Sequence, residues 1–342
     1  MSIYTIGLNH KCAPLAVREK VAVTQNSLSA ALFSLNSLSS VEENLILSTC
    51  NRTEIYIGGR NEDCIREVRS FLAEYYELSE DLLSHFYCYR GQQAIVHLLS
   101  VVASLDSMVI GENQILNQVK EAYLRARDCE VVGRTLTLLF EEALKIGKKV
   151  RTETAIGKGA VSVSTSAIEL ARKKMASLDN KRVLIVGAGR IGELMVKNLA
   201  RRGVSSVCVA NRTYAKALSL AEEFGGKVVK FDRLREILAE TDIVISSTSA
   251  PHCLIKKEDV VQAMKNRNSP LFLIDLGVPR NIEKNISGME NVFLYNIDDL
   301  ETVCEQNLAR RWSEVKKAEE IIFAAAEKFY QKVNLVECQK EK

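Results

Sequence analysis

Ser48-Thr49-Cys50-Asn51-Arg52-Thr53-Glu54 places a single thiol among short polar residues, directly after the apolar run Leu45-Ile46-Leu47. A strand that ends this way can deliver a nucleophile. A thiolate attacks carbonyl carbon well, and a cation such as Arg52 can lower a thiol's pKa or hold an anionic substrate. Read alone, the same segment also describes a free cysteine at a strand end. A second chemical pattern lies downstream, where Val183-Leu184-Ile185-Val186 runs into Gly187-Ala188-Gly189-Arg190-Ile191-Gly192 and then into helical spacing through Leu194 and Leu199. Strand, glycine turn and helix in that order make a dinucleotide-binding fingerprint. Gly187 permits the tight turn, Gly189 lets the backbone approach a pyrophosphate at the helix N-terminus, and Gly192 allows the helix to pack on the strand. About twenty residues on, where an NAD site carries a carboxylate against the ribose, the chain reads Ala210-Asn211-Arg212-Thr213. No acid stands there, and Arg212 with Thr213 suits a 2′-phosphate, so the expected cofactor is NADPH.

These groups need elements to position them. Apolar spacing predicts strands over Ile3 to Leu8, Asn44 to Thr49, Glu54 to Gly58 and around His85 to Tyr89. Helices are expected over Ser27 to Ser37 and through Ile65, Val68, Phe71 and Leu72. That order is βαββαβ, a ferredoxin-like pattern. From Ala94 to about Glu153 the spacing is helical, and a boundary is expected near residues 155 to 165. Six apolar strands follow: Arg182 to Val186, Ser206 to Ala210, Val228 to Phe231, Ile243 to Ser246, Phe272 to Asp275 and Val292 to Tyr295. They alternate with helices, which predicts a doubly wound parallel sheet. Ser246 to Pro251 falls at its carboxyl end, where the nicotinamide half is expected. A last helical stripe runs through Leu300, Cys304, Leu308, Trp312, Val315, Ile322, Phe329 and Val333, and a partner subunit is the expected cover for it. The fold class is thus multidomain α/β, with a catalytic domain over 1–155, a cofactor domain over 156–296 and a short helical segment over 297–342.

Bulk composition is that of a globular chain: 342 residues, 47% apolar, 26% charged and net charge +3. Nothing at the N-terminus reads as a signal segment, and no run approaches the length of a membrane span. A cytoplasmic location away from membranes follows. Nine cysteines without CxxC pairs match neither a disulfide framework nor a zinc site, so a reducing compartment and no metal are expected. Local basic clusters, Lys145, Lys148, Lys149 and Arg151 or Arg172, Lys173 and Lys174, are either solvated helix faces or contacts for nucleic-acid phosphate.

Several segments in the same order resemble the glutamyl-tRNA reductase family nearly end to end. They are Gly7-Leu8-Asn9-His10-Lys11 with Val17-Arg18-Glu19-Lys20, the Ser48 to Glu54 segment, Leu105 to Ile115 (Leu-Asp-Ser-Met-Val-Ile-Gly-Glu-Asn-Gln-Ile), the glycine turn, Ala210 to Thr213, and Asp275-Leu276-Gly277-Val278-Pro279-Arg280. The resemblance implies a catalytic domain, an NADPH domain and a dimerisation domain on a long spinal helix. It implies NADPH-dependent reduction of glutamyl-tRNA to glutamate-1-semialdehyde, with release of tRNA, as the first step of tetrapyrrole synthesis. It makes Cys50 the nucleophile through a thioester, and assigns Thr49, Asn51, Arg52, Ser107, Glu112, Asn113, Gln114 and Gln118 to the substrate. His97 matches a family histidine held important for activity, although its apolar helical neighbours equally suit a satisfied core histidine. His10, beside a strand end, reads as structural. Arg52 suits bidentate capture of the glutamate carboxylate, and Glu112 can accept from the α-ammonium.

The family also implies a homodimer and an aminotransferase partner. Cys12, Ser104 and Asn113 depart from the residues usual in the family, which has Gly where Ser104 stands. The chain ends at Lys342, short of many relatives, so the dimerisation part is expected to reduce to the long helix. Two rival functions come with the same sequence: a shikimate- or quinate-type NADP dehydrogenase, whose cofactor domain the 187–248 segment also resembles, and a non-catalytic NADP-responsive RNA-binding scaffold. The first leaves Ser48 to Glu54 without a purpose. The second leaves Cys50, Arg52 and Glu112 unexplained as a set.

Overall fold

The computed structural model describes residues 2–340 except 109, 113, 158–162, 176, 188–193, 196–197, 200–205, 212, 224–225, 249, 266, 268 and 301–311. The chain forms two compact units, Met1–Ala160 with Asn307–Lys342, and Val161–Gln306.

The first unit is built on an antiparallel sheet of β1 (Ser2–Asn9), β2 (Val41–Ser48), β3 (Arg52–Gly59) and β4 (Tyr87–Arg90), in the order β2-β3-β1-β4. β3 is buried along its whole length and β1 nearly so, which means both faces of the sheet are covered. Helices Gln25–Asn36 and Asp63–Tyr75 connect the strands. Thr24 and Ser27 cap the first reciprocally, and the second buries Cys64, Val68 and Leu72 at helical spacing. Gly7 lies opposite Glu54 in the β1–β3 register. A Cβ there would come within 2.7 Å of the Glu54 side chain and the Thr53 carbonyl, so the glycine makes room for a carboxylate inside the sheet.

The stretch expected to be helical from Ala94 to Glu153 is three helices, Gln92–Val102, Gln114–Asp128 and Arg134–Glu153. The first break is local backbone geometry: Ser104 and Gly111 sit at φ of 61° and 82°, which no right-handed helix accommodates. Helix Arg134–Glu153 turns Leu136, Leu139, Phe140, Ala143, Ile146, Gly147 and Val150 inward. Gly147 passes so close to Val102 that a Cβ would lie 2.4 Å from its Cγ1.

The C-terminal helix, Trp312–Lys340, buries Val315, Ala318, Ile322, Ala326 and Phe329 against helices Gln92–Val102 and Arg134–Glu153. Ile322 and Phe329 each contribute about 2 kcal/mol of burial. From Val315 to Val333 the stripe expected to need a partner subunit is therefore covered by the chain's own core, whereas Trp312 at its start is exposed. Leu300 ends a separate turn, Asp298–Leu300, and Cys304 and Leu308 lie outside the described residues. Among those described, no helix is long and apolar enough to cross a membrane.

The second unit is a six-stranded sheet of β5 (Arg182–Val186), β6 (Ser206–Ala210), β7 (Lys227–Val229), β8 (Ile243–Ser246), β9 (Leu271–Asp275) and β10 (Val292–Asn296). The order is β10-β9-β8-β5-β6-β7, and every pairing is parallel. β8 and β9 are wholly buried, as strands covered by helices on both faces must be. The expected Val228 to Phe231 strand ends at Val229, because Phe231 opens a turn through Arg233. The result is a mixed α/β molecule: a Rossmann-like parallel sheet and a separate antiparallel one.

Candidate active site

Cys50 sits at the tip of the β2–β3 hairpin, in a loop clamped by its own polar residues. Thr49 donates its N–H to the Arg52 carbonyl at 2.8 Å, and its hydroxyl oxygen accepts from the backbone of Asn51 and Arg52, each at 3.2 Å. From outside the loop, His10 N–H donates to the Asn51 carbonyl at 2.9 Å. Arg18 Nη1 donates to the Cys50 carbonyl at 2.8 Å and to Asn51 Oδ1 at 3.4 Å. Every one of these contacts holds backbone or a neighbour and leaves the sulfur free. Burial, and then the charge of Glu112, push the Cys50 thiol up to about 11, against a smaller opposing pull from Arg18 and Arg52. The activation by Arg52 expected from sequence is thus outweighed, and the resting thiol keeps its proton at neutral pH.

Arg52 explains why its pull is small. Its guanidinium is buried, with Nη1 at 2.6 Å from Glu54 Oε1 and 3.1 Å from Asp106 Oδ2, and Nη2 donating to the Asp106 carbonyl. Burial would favour the neutral form, but the two carboxylates overcome it and hold Arg52 firmly protonated. Four groups converge on Glu54: Arg52, the hydroxyls of Tyr56 and Tyr87 at 2.6 Å each, and His97 Nε2 at 2.9 Å. Burial alone would raise the Glu54 carboxyl, yet Arg52, helped by His97 and Tyr56, holds it well below the usual carboxylate range. His97 packs against Tyr87 and Tyr89, with ring centroids 5.3 and 4.8 Å away. It reaches the Arg52 network through its bond to Glu54. His10 is held neutral, its pKa pushed down to about 4, by burial and then by the Arg52 and Lys11 charges.

Asp106 joins the hairpin to a second segment. Besides Arg52 it meets Lys11, and Asn9 Nδ2 donates to it at 3.3 Å. Ser107 follows it directly and is half-buried. Glu112 has an oxygen, Oε1, buried without a hydrogen-bond partner among the described residues, and burial pushes its carboxyl up to about 7. Gln114 opens helix Gln114–Asp128, and Gln118 lies one turn further along it. Both are half-buried. Asn113 lies outside the described residues. The structure thus ties Thr49, Asn51 and Arg52 to the segment bearing Ser107 and Glu112, and the tie is the Arg52–Asp106 pair. Sequence reasoning missed Arg18, Glu54, Tyr87 and Asp106 as site residues. The available signals were an acid inside the apolar Ile55-Tyr56-Ile57 strand and an arginine in a segment otherwise set aside as a motif.

In the second unit the carboxyl ends of β5, β6 and β8 meet at Gly187. Its N–H donates to the Ala210 carbonyl at 2.8 Å, while Ser247 N–H donates to the Val186 carbonyl at 2.9 Å. Gly187 has φ of 111°, and a Cβ on it would lie 2.5 Å from the Ser247 carbonyl oxygen. A buried glycine at positive φ, packed this closely at a strand's carboxyl end, fits the tight first turn of a dinucleotide fingerprint. Ala188, Gly189, Arg190, Ile191, Gly192 and Arg212 lie outside the described residues. Asn211 Nδ2, just past β6, donates to the Thr213 carbonyl at 3.2 Å. Nearby, Asp275 accepts from the N–H groups of Gly277, Asn281 and Ile282, and Asn281 Oδ1 accepts from Ser246 and Thr248. Gly187→Ala is expected to weaken dinucleotide binding about tenfold through backbone strain of 1–3 kcal/mol. Titration of the intact protein with NADPH measures this, and an unchanged dissociation constant would remove Gly187 from the site. Among the described residues, no group of three or more His, Cys, Asp or Glu could hold a metal.

Comparison with known proteins agrees with both halves. Residues 6–154 match the family described as "Glutamyl-tRNAGlu reductase, N-terminal domain", and residues 169–303 match "Shikimate / quinate 5-dehydrogenase". Glutamyl-tRNA reductase of Pelotomaculum thermopropionicum is 46% identical over 94% of this chain and 73% of its own length. The chain belongs to the glutamyl-tRNA reductase family. Glutamyl-tRNA reductase of Sulfurihydrogenibium sp. is 43% identical over 98% of this chain and 76% of its own. The solved glutamyl-tRNA reductase from Methanopyrus kandleri is 35% identical, covers 99% of this chain and 82% of its own, and superposes with a TM-score of 0.53. The dehydrogenase likeness is confined to the cofactor half. Membership of the reductase family accounts for the hairpin loop and the 104–114 segment as well.

Proposed function

We propose that this chain reduces the glutamyl group of glutamyl-tRNA to glutamate-1-semialdehyde with NADPH, releasing tRNA, and that Cys50 carries the acyl group as a thioester. The observation that carries the reading is the clamped Cys50 loop, joined through Arg52 and Asp106 to the segment bearing Ser107 and Glu112. The unpartnered Glu112 oxygen is suited to the α-ammonium of the glutamyl group, and Ser107, Gln114 and Gln118 supply further polar contacts. Arg52, engaged with Glu54 and Asp106, serves as the brace between the two segments. The antiparallel sheet supports reading residues 1–155 as a ferredoxin-like catalytic domain with a helical extension.

The resting thiol is protonated. Burial and, after it, the Glu112 charge hold the thiol's pKa up; an α-ammonium at Glu112 cancels the second of these, so substrate binding itself shifts Cys50 toward the thiolate. The sulfur then bonds to the ester carbonyl carbon, the carbon–oxygen bond to the tRNA breaks, and the 3′ oxygen leaves as a hydroxyl. The Gly187 turn with Asn211 and Thr213 would hold NADPH, which would supply a hydride for the thioester carbon; the carbon–sulfur bond then breaks, which releases the aldehyde and returns Cys50 to the thiol. Burial around Cys50 limits access of water to the acyl group. The family resemblance adds a homodimer and an aminotransferase that receives the aldehyde. Trp312 and Phe323, exposed on the C-terminal helix, are the side chains a partner subunit would cover.

The test is single-turnover labelling. With glutamyl-tRNA labelled in the glutamate and no NADPH, label should stay on the Cys50 peptide and be released by hydroxylamine; with NADPH it should appear as semialdehyde, beside free tRNA. NADPH-dependent reduction of a free keto acid without label transfer would make the chain a dehydrogenase. tRNA binding without turnover would make it a scaffold.

A further inference from the structure

Arg151 stood among the basic residues suited to nucleic-acid phosphate, and the structure turns it inward instead. From helix Arg134–Glu153 its Nη1 donates to the Val102 carbonyl at 3.0 Å and the Gly147 carbonyl at 2.9 Å. Its Nη2 donates to Ser104 Oγ and to the Glu112 carbonyl, each at 3.1 Å. Ser104 is fully buried at a φ of 61°, a region that serine enters at a cost. Its hydroxyl compensates by donating to the same Glu112 carbonyl, and its own carbonyl accepts from Gly111 N–H at 3.2 Å. Both ends of the 104–112 segment are thereby fastened to one guanidinium, and between them lie Asp106, Ser107 and the side of Glu112 that no hydrogen bond occupies.

We propose that Arg151 and Ser104 are positioning residues for the reaction, a latch that fixes the 104–112 segment and so presents Ser107 and the Glu112 carboxyl to the substrate at Cys50. This rests on the reading of the chain as a reductase. Arginine is required because only its planar fork reaches four acceptors on three elements at once; a lysine reaches one or two. Serine at position 104 adds a bond that glycine there would forgo, and it accepts a strained backbone to do so.

Arg151→Met, Arg151→Lys and Ser104→Gly test the latch in the full chain. For Arg151→Met, kcat/KM toward glutamyl-tRNA should fall about a hundredfold, the cost of misplacing a binding segment by an ångström, while KM for NADPH stays within twofold. Arg151→Lys should recover part of that loss. Ser104→Gly relieves strain, so it should melt no lower than the parent and yet raise KM for glutamyl-tRNA about fivefold, as loss of one hydrogen bond requires. It decides the matter if Arg151→Met fails to fold. Iodoacetamide labelling of the Cys50 peptide across pH gives a readout independent of turnover: with Glu112 displaced, the midpoint should drop by about one unit in Arg151→Met. Glutamyl-tRNA parameters and a Cys50 midpoint that match the parent in Arg151→Met and Ser104→Gly would overturn the latch, as would parallel loss of NADPH affinity. A parent protein that makes no semialdehyde counts against the reductase reading alone, and the labelling profile still judges the latch.

Discussion

Cys50→Ser is expected to lower semialdehyde formation from glutamyl-tRNA by about a thousandfold or more while leaving both substrates bound. A serine hydroxyl is a weak nucleophile without an adjacent base, and an oxygen ester accepts hydride less readily than a thioester. The loop should survive the change, because the clamps from Arg18, His10 and Thr49 reach backbone and neighbouring side chains rather than the sulfur. Steady-state rates, with glutamyl-tRNA and NADPH binding measured in parallel, decide the point. A serine protein that keeps a tenth of the parent rate would remove the thioester from the mechanism. The parent also has a pH signature. With the free thiol at about 11, alkylation of Cys50 in the absence of substrate should rise about tenfold per pH unit from neutrality toward that value. Glu112→Gln should move the midpoint down, since Glu112 is the charge that helps hold it up.

Glu54→Gln should have the largest effect on stability, about 3 kcal/mol in the unfolding of the first unit. The substitution leaves the Arg52 guanidinium buried with only Asp106 as counter-charge, and it offers an amide N–H where Tyr56, Tyr87 and His97 supply their own protons. The sign with pH follows from the depressed carboxyl. Glu54 is held below its ordinary range in the folded chain, as Asp106 is. Their contribution is therefore complete above the ordinary carboxylate pKa of about 4 and is lost as pH falls from there toward the folded values. Urea unfolding between neutrality and strongly acidic pH should show a steep loss in the parent and a shallower one in Glu54→Gln. Equal slopes would mean that Glu54 is not the hub.

Residues whose role is local could be read from sequence. The six strands of the second unit announced themselves as apolar runs, and Gly187 announced its turn, because strand and glycine signals involve only neighbours in the chain. The turn at Phe231 was missed by two residues for the same reason: its apolar character extends the run that the backbone leaves. Cys50 could be singled out as a candidate nucleophile by its setting, but the state of its thiol could not be read there. That state is set by burial and by Glu112, which reaches the loop only through tertiary structure. Arg52 misled in the same way, since a cation beside a thiol reads as its activator until Glu54 and Asp106 are seen to hold it. The break after Val102 was hidden because serine seldom adopts a positive φ. The stripe from Val315 to Phe329 was plain in sequence, whereas the surface that covers it, helices Gln92–Val102 and Arg134–Glu153, could not be inferred from spacing.

Seven of the described cysteines are free, and the one proposed to do chemistry keeps its proton at rest. Peroxide and electrophilic metabolites react with the thiolate form, so a sulfur held near 11 is a slow target for oxidation while no acyl group is present. If the arriving ammonium releases that restraint at Glu112, the protein is vulnerable only during turnover. Idle enzyme should then outlast working enzyme under oxidative stress, and its lifetime would be governed by how often it is used.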